Sequence, residues 1–463
     1  MKRLASMVLP LVLAGCTVGP NYAAPRAAMA PTWLEPALPG EVDRQWWRSF
    51  GDPQLNALVA QAIASSPDLR EAEARVAEAR ANRDSARSGR SPQVTAQGSG
   101  TENVLSKNGQ LPIASIPGFD REFSLFDIGF DASWEIDFWG RTRRQVEGAD
   151  ARAEAAEWAR RDAMVVLLGE LARNYVELRG TQADLAAARE RLTAQAVLAE
   201  LTVLRFRSGE ANRIEAEEAG SHLAAAAAAL SGLEGQAAGS AYRIAVLVGK
   251  PPEDIVPTLV ASAPIPQPPA AIVSGARSAL LERRPDVRRA ERELAAATAD
   301  VGFTTTELFP RFTLLGSLGQ QARGPGDLSS SDSTRLSIGP GFSWPVFSFG
   351  RIRAQIRAAD ARADAAAARY EKTVLGALAD SESAANRFAN ASRAAAEADR
   401  AAVAEAAAYR LAELRFSRGE DDRLALNRAR LRVAEANQRA GDAATARAQA
   451  AVAFYKALGG GWR

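Results

Sequence analysis

Two stretches of 66 residues, Arg141 to Phe206 and Arg351 to Phe416, contain no proline and are dense in Ala, Glu, Arg and Leu. At 1.5 Å per residue, an unbroken helix of that length extends about 100 Å. No small compact domain accommodates such a helix. The two runs open on similar words, FWGR (138–141) and SFGR (348–351), and close on LRFRSGE (204–210) and LRFSRGE (414–420). Both matches sit at one offset of 210 residues, so the chain reads as a tandem duplication built on two very long helices.

The rest of each copy follows the same order. Leu55, Leu58, Val59, Ala62 and Ile63 recur at helical spacing after Trp46 and Trp47. Ser66-Pro67-Asp68 then restarts a helix, with Ser as a candidate cap, Pro preset for the first turn and Asp at the positive end of the dipole. Arg284-Pro285-Asp286 repeats this at an offset of 218. After each of these helices the period drops from 3.6 to 2. Phe126, Ile128, Phe130, Ala132 and Trp134 alternate with Asp127, Asp131, Ser133 and Glu135, and Leu336, Ile338 and Phe342 mark the same pattern in the second copy. With Pro92–Thr101 and the segment of Phe312, Leu314 and Leu318, four strands of about ten residues result, the length and alternation of transmembrane β-strands. Glu102–Arg121 and Gln321–Thr334, rich in Gly, Ser, Pro and Asp, read as hairpin loops, and the longer first loop accounts for most of the change of offset. Returning helices are expected from Ala211 to Val248 and from Asp421 to Leu458.

The first residues read as an address. Lys2 and Arg3 precede an apolar stretch, Leu4–Leu13, which ends in Leu13-Ala14-Gly15-Cys16. This resembles the lipobox of bacterial lipoproteins and implies a lipid on Cys16, the sole cysteine, as the only attached group; the alternative is an ordinary signal with a chance cysteine. The resulting division is a signal peptide at 1–15, a lipid-anchored tether at 16–45, a first repeat at 46–249, a Pro-rich linker at 250–269 and a second repeat at 270–463. With 57 basic and 55 acidic residues the chain lacks the basic footprint of a nucleic-acid binder. No apolar run reaches the length of a membrane-spanning helix.

Four amphipathic strands cannot close a barrel, and open edges are not tolerated in lipid. The barrel is therefore expected to be shared between chains, the alternative being a soluble trimeric coiled-coil stalk. LAGCTVGPNY (13–22), WWRSFGDPQLNALV (46–59), SWEIDFWGRTRRQVE (133–147), RRPDVRRAE (283–291), FPRF (309–312) and FSWPVFSFGRIRAQI (342–356) resemble the outer-membrane efflux channels of the TolC and OprM type, within them the NodT-like lipoprotein branch. The resemblance implies a mainly α fold with a transmembrane β-barrel: a homotrimer with a 12-stranded barrel in the outer membrane and a long periplasmic α-barrel. It also implies partners, a periplasmic adaptor and an inner-membrane pump of the RND type.

From alternation, Phe126, Ile128, Phe130, Leu336, Ile338 and Phe342 are expected to face lipid. The turns between long and returning helices are expected to form the closed periplasmic end and the adaptor-docking surface, through Arg207, Gly209, Glu210, Arg213, Glu215, Arg415, Arg418, Gly419, Asp421 and Asp422. Where the family pattern carries an acid in the second returning helix, this chain has Asn427. An enzymatic reading finds little: the one histidine, His222, sits in an alanine-rich helix, and no phosphate-binding G-x-x-x-x-G-K-[ST] loop occurs. The function expected is a passive exit duct for small toxic compounds; the alternatives are a type I protein-secretion channel and a lipid-anchored structural trimer.

Overall fold

The computed structural model describes residues 17–25, 30, 32–35, 38–106 and 120–462. Cys16 and most of the first hairpin loop lie outside the described residues. In chain order the elements are α1 (Pro53–Ser65), α2 (Pro67–Ser88), β1 (Gln93–Val104), β2 (Glu122–Ile136), α3 (Arg141–Arg207), α4 (Arg213–Leu247), α5 (Pro252–Leu259), α6 (Ala279–Arg283), α7 (Pro285–Thr305), β3 (Arg311–Ala322), β4 (Thr334–Ser343), α8 (Arg351–Ser417) and α9 (Arg423–Ala457). The two long helices, 67 residues each, agree with the proline-free runs to within a residue at either end.

These elements build two compact units, and each unit draws on both sequence repeats. One takes Ala77–Glu154 and Glu291–Arg369 with the amino-terminal stretch up to Pro25; the other takes Arg26–Val76, Ala155–Ala290 and Tyr370–Arg463. The first unit is organised on an antiparallel sheet in the order β1-β2-β3-β4. Its register keeps the duplication: Gln93 lies opposite Ser133 in the first hairpin, and their equivalents, Arg311 and Ser343, lie opposite each other in the second. The strands run longer than the alternation alone suggested, β2 reaching 15 residues, because the polar residues Glu122 and Ser124 continue the ladder toward the loop.

Residues 18–22 of this unit are bonded to its helices and to the strand–helix junction. The Arg144 guanidinium, almost fully buried, donates to Val18 O and Gly19 O at 3.1 Å, to Asn21 Oδ1 at 2.8 Å and to Glu147 at 2.8 Å. Val18 N–H donates to Trp139 O at 3.1 Å, and Tyr22 O–H donates to Glu291 at 3.1 Å. A buried guanidinium stripped of water needs this many acceptors, and here the backbone of residues 18 and 19 supplies two of them.

The second unit packs long helices through small residues: Ala172 and Ala194 of α3 and Ala448 and Ala451 of α9 are fully buried. Trp46 stacks on Tyr455 with ring centroids 5.2 Å apart, and Trp158 meets Trp462 edge-on at 5.4 Å with Arg161 over both rings. Arg179, 1% exposed, donates to Gln182 Oε1 at 2.6 Å, to Ala261 O at 2.7 Å and to Gln54. Gln182 in turn donates to Leu259 O at 2.8 Å. This network fixes the end of α5, which lies inside the stretch read as a Pro-rich linker, 250–269; Pro252 opens that helix and Ile255 and Leu259 are its buried residues. Asp52 caps α1, accepting from Gln54 and Leu55 N–H at 2.8 and 2.9 Å. Ser66, the candidate cap of α2, does not act as one: its hydroxyl is buried without a hydrogen-bond partner.

Asp184 on α3 is held half-buried with one carboxylate oxygen unpartnered. Burial, with the Asp442 charge on α9 adding to it, pushes its pKa up to about 6. The fold therefore binds this proton more tightly than the unfolded chain does. That contribution favours the fold in acid and is lost as pH rises from about 4 through about 6. Asp184→Asn is expected to raise the thermal unfolding temperature at pH 7, with the gain vanishing near pH 4; a pH-independent difference would point to packing instead.

Candidate functional site

Two places carry the candidate residues: the sheet of the first unit and the helical turns of the second. In the sheet, residues opposite one another share a face. Ile128 pairs with Gly98 and Gln320, Phe130 with Ala96 and Leu318, Leu318 with Leu336, Gly316 with Ile338, and Phe312 with Phe342. All six residues expected to meet lipid, Phe126, Ile128, Phe130, Leu336, Ile338 and Phe342, fall on this one face. Five of them are 57–74% exposed in the single chain. The opposite face carries a polar ladder. Arg335 donates to Asp127 at 2.7 Å and to Ser317, Gln321 donates to Asp127 at 2.8 Å, and Gln97 donates to Asp131. Phe123 and Leu125 near the loop end of β2, and Leu315 on β3, are the apolar residues on this polar face. Gly129 and Gly319 face each other so closely that a Cβ on Gly319 would come 2.9 Å from Gly129 Cα.

Where the strands enter the long helices, the copies diverge. In the first, Asp137 accepts from Thr142 and Arg143 N–H at 3.1 and 3.0 Å, satisfying free donors of the first turn of α3. Trp139 stacks on Phe309 at 4.8 Å and donates to Pro310 O at 2.9 Å. In the second, Phe347 and Phe349 stand at these positions, 87% and 102% exposed.

The turns in the second unit are nearly superimposable in their bonding. Gly209 and Gly419 take left-handed backbone, φ +82° and +74°, which a residue with a Cβ adopts only under strain. Glu210 N–H donates to Arg205 O at 2.8 Å, and Glu420 N–H donates to Arg415 O at 2.9 Å, closing the last turn of each long helix in a Schellman motif. The same two pairs meet again through their side chains, Arg205–Glu210 and Arg415–Glu420 both at 3.8 Å. An ion pair thus occupies the place where this motif usually makes an apolar contact. Arg415 also binds Asp421 at 3.1 Å, a contact with no first-copy counterpart because Ala211 stands there.

The returning helices are capped equivalently. Asn212 accepts from Glu215 N–H at 2.9 Å as an N-cap and its side-chain amide donates to Glu215 Oε1 at 2.9 Å; Asp422 accepts from Ala425 N–H at 2.7 Å. Glu215 and Asp422 are therefore occupied in holding helix ends, and Arg213 pairs along its own helix with Glu217 at 3.4 Å. Among the described residues, Arg207 and Arg418 form no side-chain ion pair, and none of the ion pairs at the turns joins one hairpin to the other. Sequence reasoning missed Arg205 and Asn212, although each lies 210 residues before a residue it did name, Arg415 and Asp422.

An antiparallel sheet with one apolar and one polar face, two free edges and duplicated long helical hairpins defines a component of an outer-membrane channel. Residues 58–250 and 276–460 match the outer membrane efflux protein family, and the chain belongs to it. It is 32% identical over its whole length to the pyoverdine export outer membrane protein OpmQ of Pseudomonas putida, covering 98% of that protein. It is 30% identical to nodulation protein T of Rhizobium leguminosarum bv. trifolii over 82% of this chain and 81% of that one. The solved outer-membrane channel OprN is 36% identical, with a TM-score of 0.86, over 96% of this chain and 100% of that one. The chain is an outer-membrane exit duct of an efflux system.

The cap assignment separates two neighbouring carboxylates. Asp422→Ala is expected to cost about 1 kcal/mol of local helix stability and to speed amide hydrogen exchange in the first turn of α9. Asp421→Ala should leave that exchange unchanged; equal effects would contradict the division of roles.

Proposed function

We propose that three copies of this chain close one 12-stranded barrel in the outer membrane and conduct small toxic compounds passively to the exterior. The apolar face, with Phe126, Ile128, Phe130, Leu336, Ile338 and Phe342, turns to lipid, and the ladder of Asp127, Asp131 and Arg335 lines the water-filled interior. The single observation that carries this reading is the separation of faces across all four strands together with two unpaired edges, an arrangement that is stable in lipid only when closed. The long hairpins extend into the periplasm, where the turns meet a periplasmic adaptor coupled to an inner-membrane pump of the RND type. Energy comes from that pump.

Cys16 carries the lipid. Support comes from L-A-G-C placed directly after the apolar segment and from the neighbouring residues, since the carbonyls of Val18 and Gly19 are held by Arg144 beside Trp139. Loss of the chain is expected to sensitise cells to a panel of small toxic compounds. Cys16→Ala delivered by a cleavable signal should restore part of the protection, because the barrel inserts on its own account. Unaltered sensitivity with loss of a secreted protein would favour the type I secretion channel instead.

The turns form the gate. Their ion pairs are exposed to water and each contributes about 0–1 kcal/mol, a weak closure that modest competing contacts from a partner can open, repeated in every copy. Asp421, the carboxylate that closes on Arg415 and has no other duty, is the residue that the gate reading tests most cleanly. Asp421→Ala is expected to raise the open probability of single channels in planar bilayers. No change there, with a change on substituting the Asp127–Arg335 pair, would place the constriction in the barrel.

A further inference from the structure

The polar face of the sheet is not uniform along its length. From the loop end toward the helices, the register sets Asp127, then Arg335, then Asp131, then Leu315 at successive levels of the ladder. Arg335 closes on Asp127 at 2.7 Å and also donates to Ser317. Asp131 accepts from the neutral amide of Gln97 and, among the described residues, makes no ion pair. An amide donor satisfies an acceptor oxygen but brings no charge to set against it. Two carboxylates against one guanidinium leave this part of the face acidic, and the excess sits at Asp131.

Next to that carboxylate the wall turns apolar and shallow. Leu315 is 50% exposed and stands opposite Ser133 on one side and Gly339 on the other. Its side chain leans over Gly341, where an added Cβ would lie 3.5 Å from Leu315 Cδ1, while the space a Cβ would take at Gly339 is open. Short side chains, Thr95, Ser133, Ser317 and Ser337, complete a groove of about 580 Å³ that Asp131, Leu315 and Arg335 also line. That volume is within the range of small-molecule sites. Ser317 is the residue directly opposite Asp131, so Leu315 is its diagonal neighbour. Diagonal neighbours lie about 7–8 Å apart, the separation of a charged group from the middle of an apolar body a few bonds long.

We propose that this groove is a site on the wall of the duct for amphipathic organic cations, with the positive group against Asp131 and the apolar portion on Leu315 over Gly339. The site rests on the assignment of the polar face to the water-filled interior, and it narrows the compounds conducted to a chemical class. Arg335 is drawn toward the loop end by Asp127, so it does not neutralise Asp131, and the acid and the bare leucine lie together on the side away from it. An anion of the same shape would set its charge against Asp131, so the groove discriminates by repulsion as well as attraction. A cation without an apolar body would leave Leu315 exposed to water. Pairing in a wet groove is weak, as a duct requires, since a compound held tightly would not leave.

Ser133 is exposed, lies two residues from Asp131 on the same face and stands opposite Leu315, so a thiol introduced there reports on the groove. In the full-length membrane protein, Ser133→Cys is expected to react several-fold faster with a cationic methanethiosulfonate than with an anionic one, each rate normalised to a free thiol and corrected for the unsubstituted chain. Benzyltrimethylammonium should slow its reaction with a neutral methanethiosulfonate several-fold. At the same concentration, tetramethylammonium, which lacks the ring, and benzenesulfonate, which inverts the charge, should not. Adding Asp131→Asn is expected to remove the preference for the cationic reagent, and adding Leu315→Ser to remove the advantage of the benzyl group. Equal normalised rates for the two charged reagents, or protection by benzyltrimethylammonium no greater than by the other two ions, overturns the site and leaves the assignment of the face intact. Failure of every reagent to reach Ser133→Cys in an assembled oligomer means that this face is not lined by water, which overturns the interior reading together with the site.

Discussion

A β-strand in a bilayer cannot leave its backbone unpaired, because hydrocarbon offers no substitute for the lost hydrogen bonds. Everything in the first unit follows from that constraint. Its sheet has four strands, fewer than any closed membrane barrel, and β1 and β4 are left at the edges. An edge strand in water is managed with charge, proline or brevity. Here β1 runs for 12 residues with only Glu102 as a charge, and β4, despite Arg335 and Pro340, exposes Leu336, Ile338 and Phe342. These are edges built to be paired.

The duplication meets the constraint economically, since each copy supplies one hairpin and one long helical hairpin. The copies have nevertheless parted at specific positions. Asp137 holds the first turn of α3, while Phe347 at the equivalent place cannot accept a hydrogen bond. Asp421 adds a second carboxylate to Arg415, while Ala211 leaves Arg205 with Glu210 alone. Both divergences lie where the chain turns from one element to the next. The helix interiors, where alanines set the packing distance, have diverged in composition without losing length.

Much of this was legible in the residues because the signals are long and periodic. Sixty-six residues without proline leave little choice but helix, and the alternation in β2 assigns the apolar face before any register is known. Contacts that depend on three-dimensional neighbours were not legible. Nothing local marks Arg144 as the residue that grips Val18, Gly19 and Asn21, or Arg179 as the buried node that binds Ala261 O just past the end of α5. Ser66 looked like a cap by type and position, yet its hydroxyl is turned into a buried site without a partner. At the hairpin turns, charge density drew attention to Arg207 when the ion pair belongs to Arg205, two residues back; the offset of 210 from Arg415 is the signal that distinguishes them.

The central claim is that the free edges of β1 and β4 are closed by further copies of the same chain. Native mass spectrometry of the detergent-solubilised protein, combined with amide hydrogen exchange across Gln93–Val104 and Thr334–Ser343, tests it most directly. The account predicts a mass of three chains and protection in both edge strands comparable to that in β2 and β3. A single-chain mass, or three chains with rapidly exchanging β1 and β4, would contradict it.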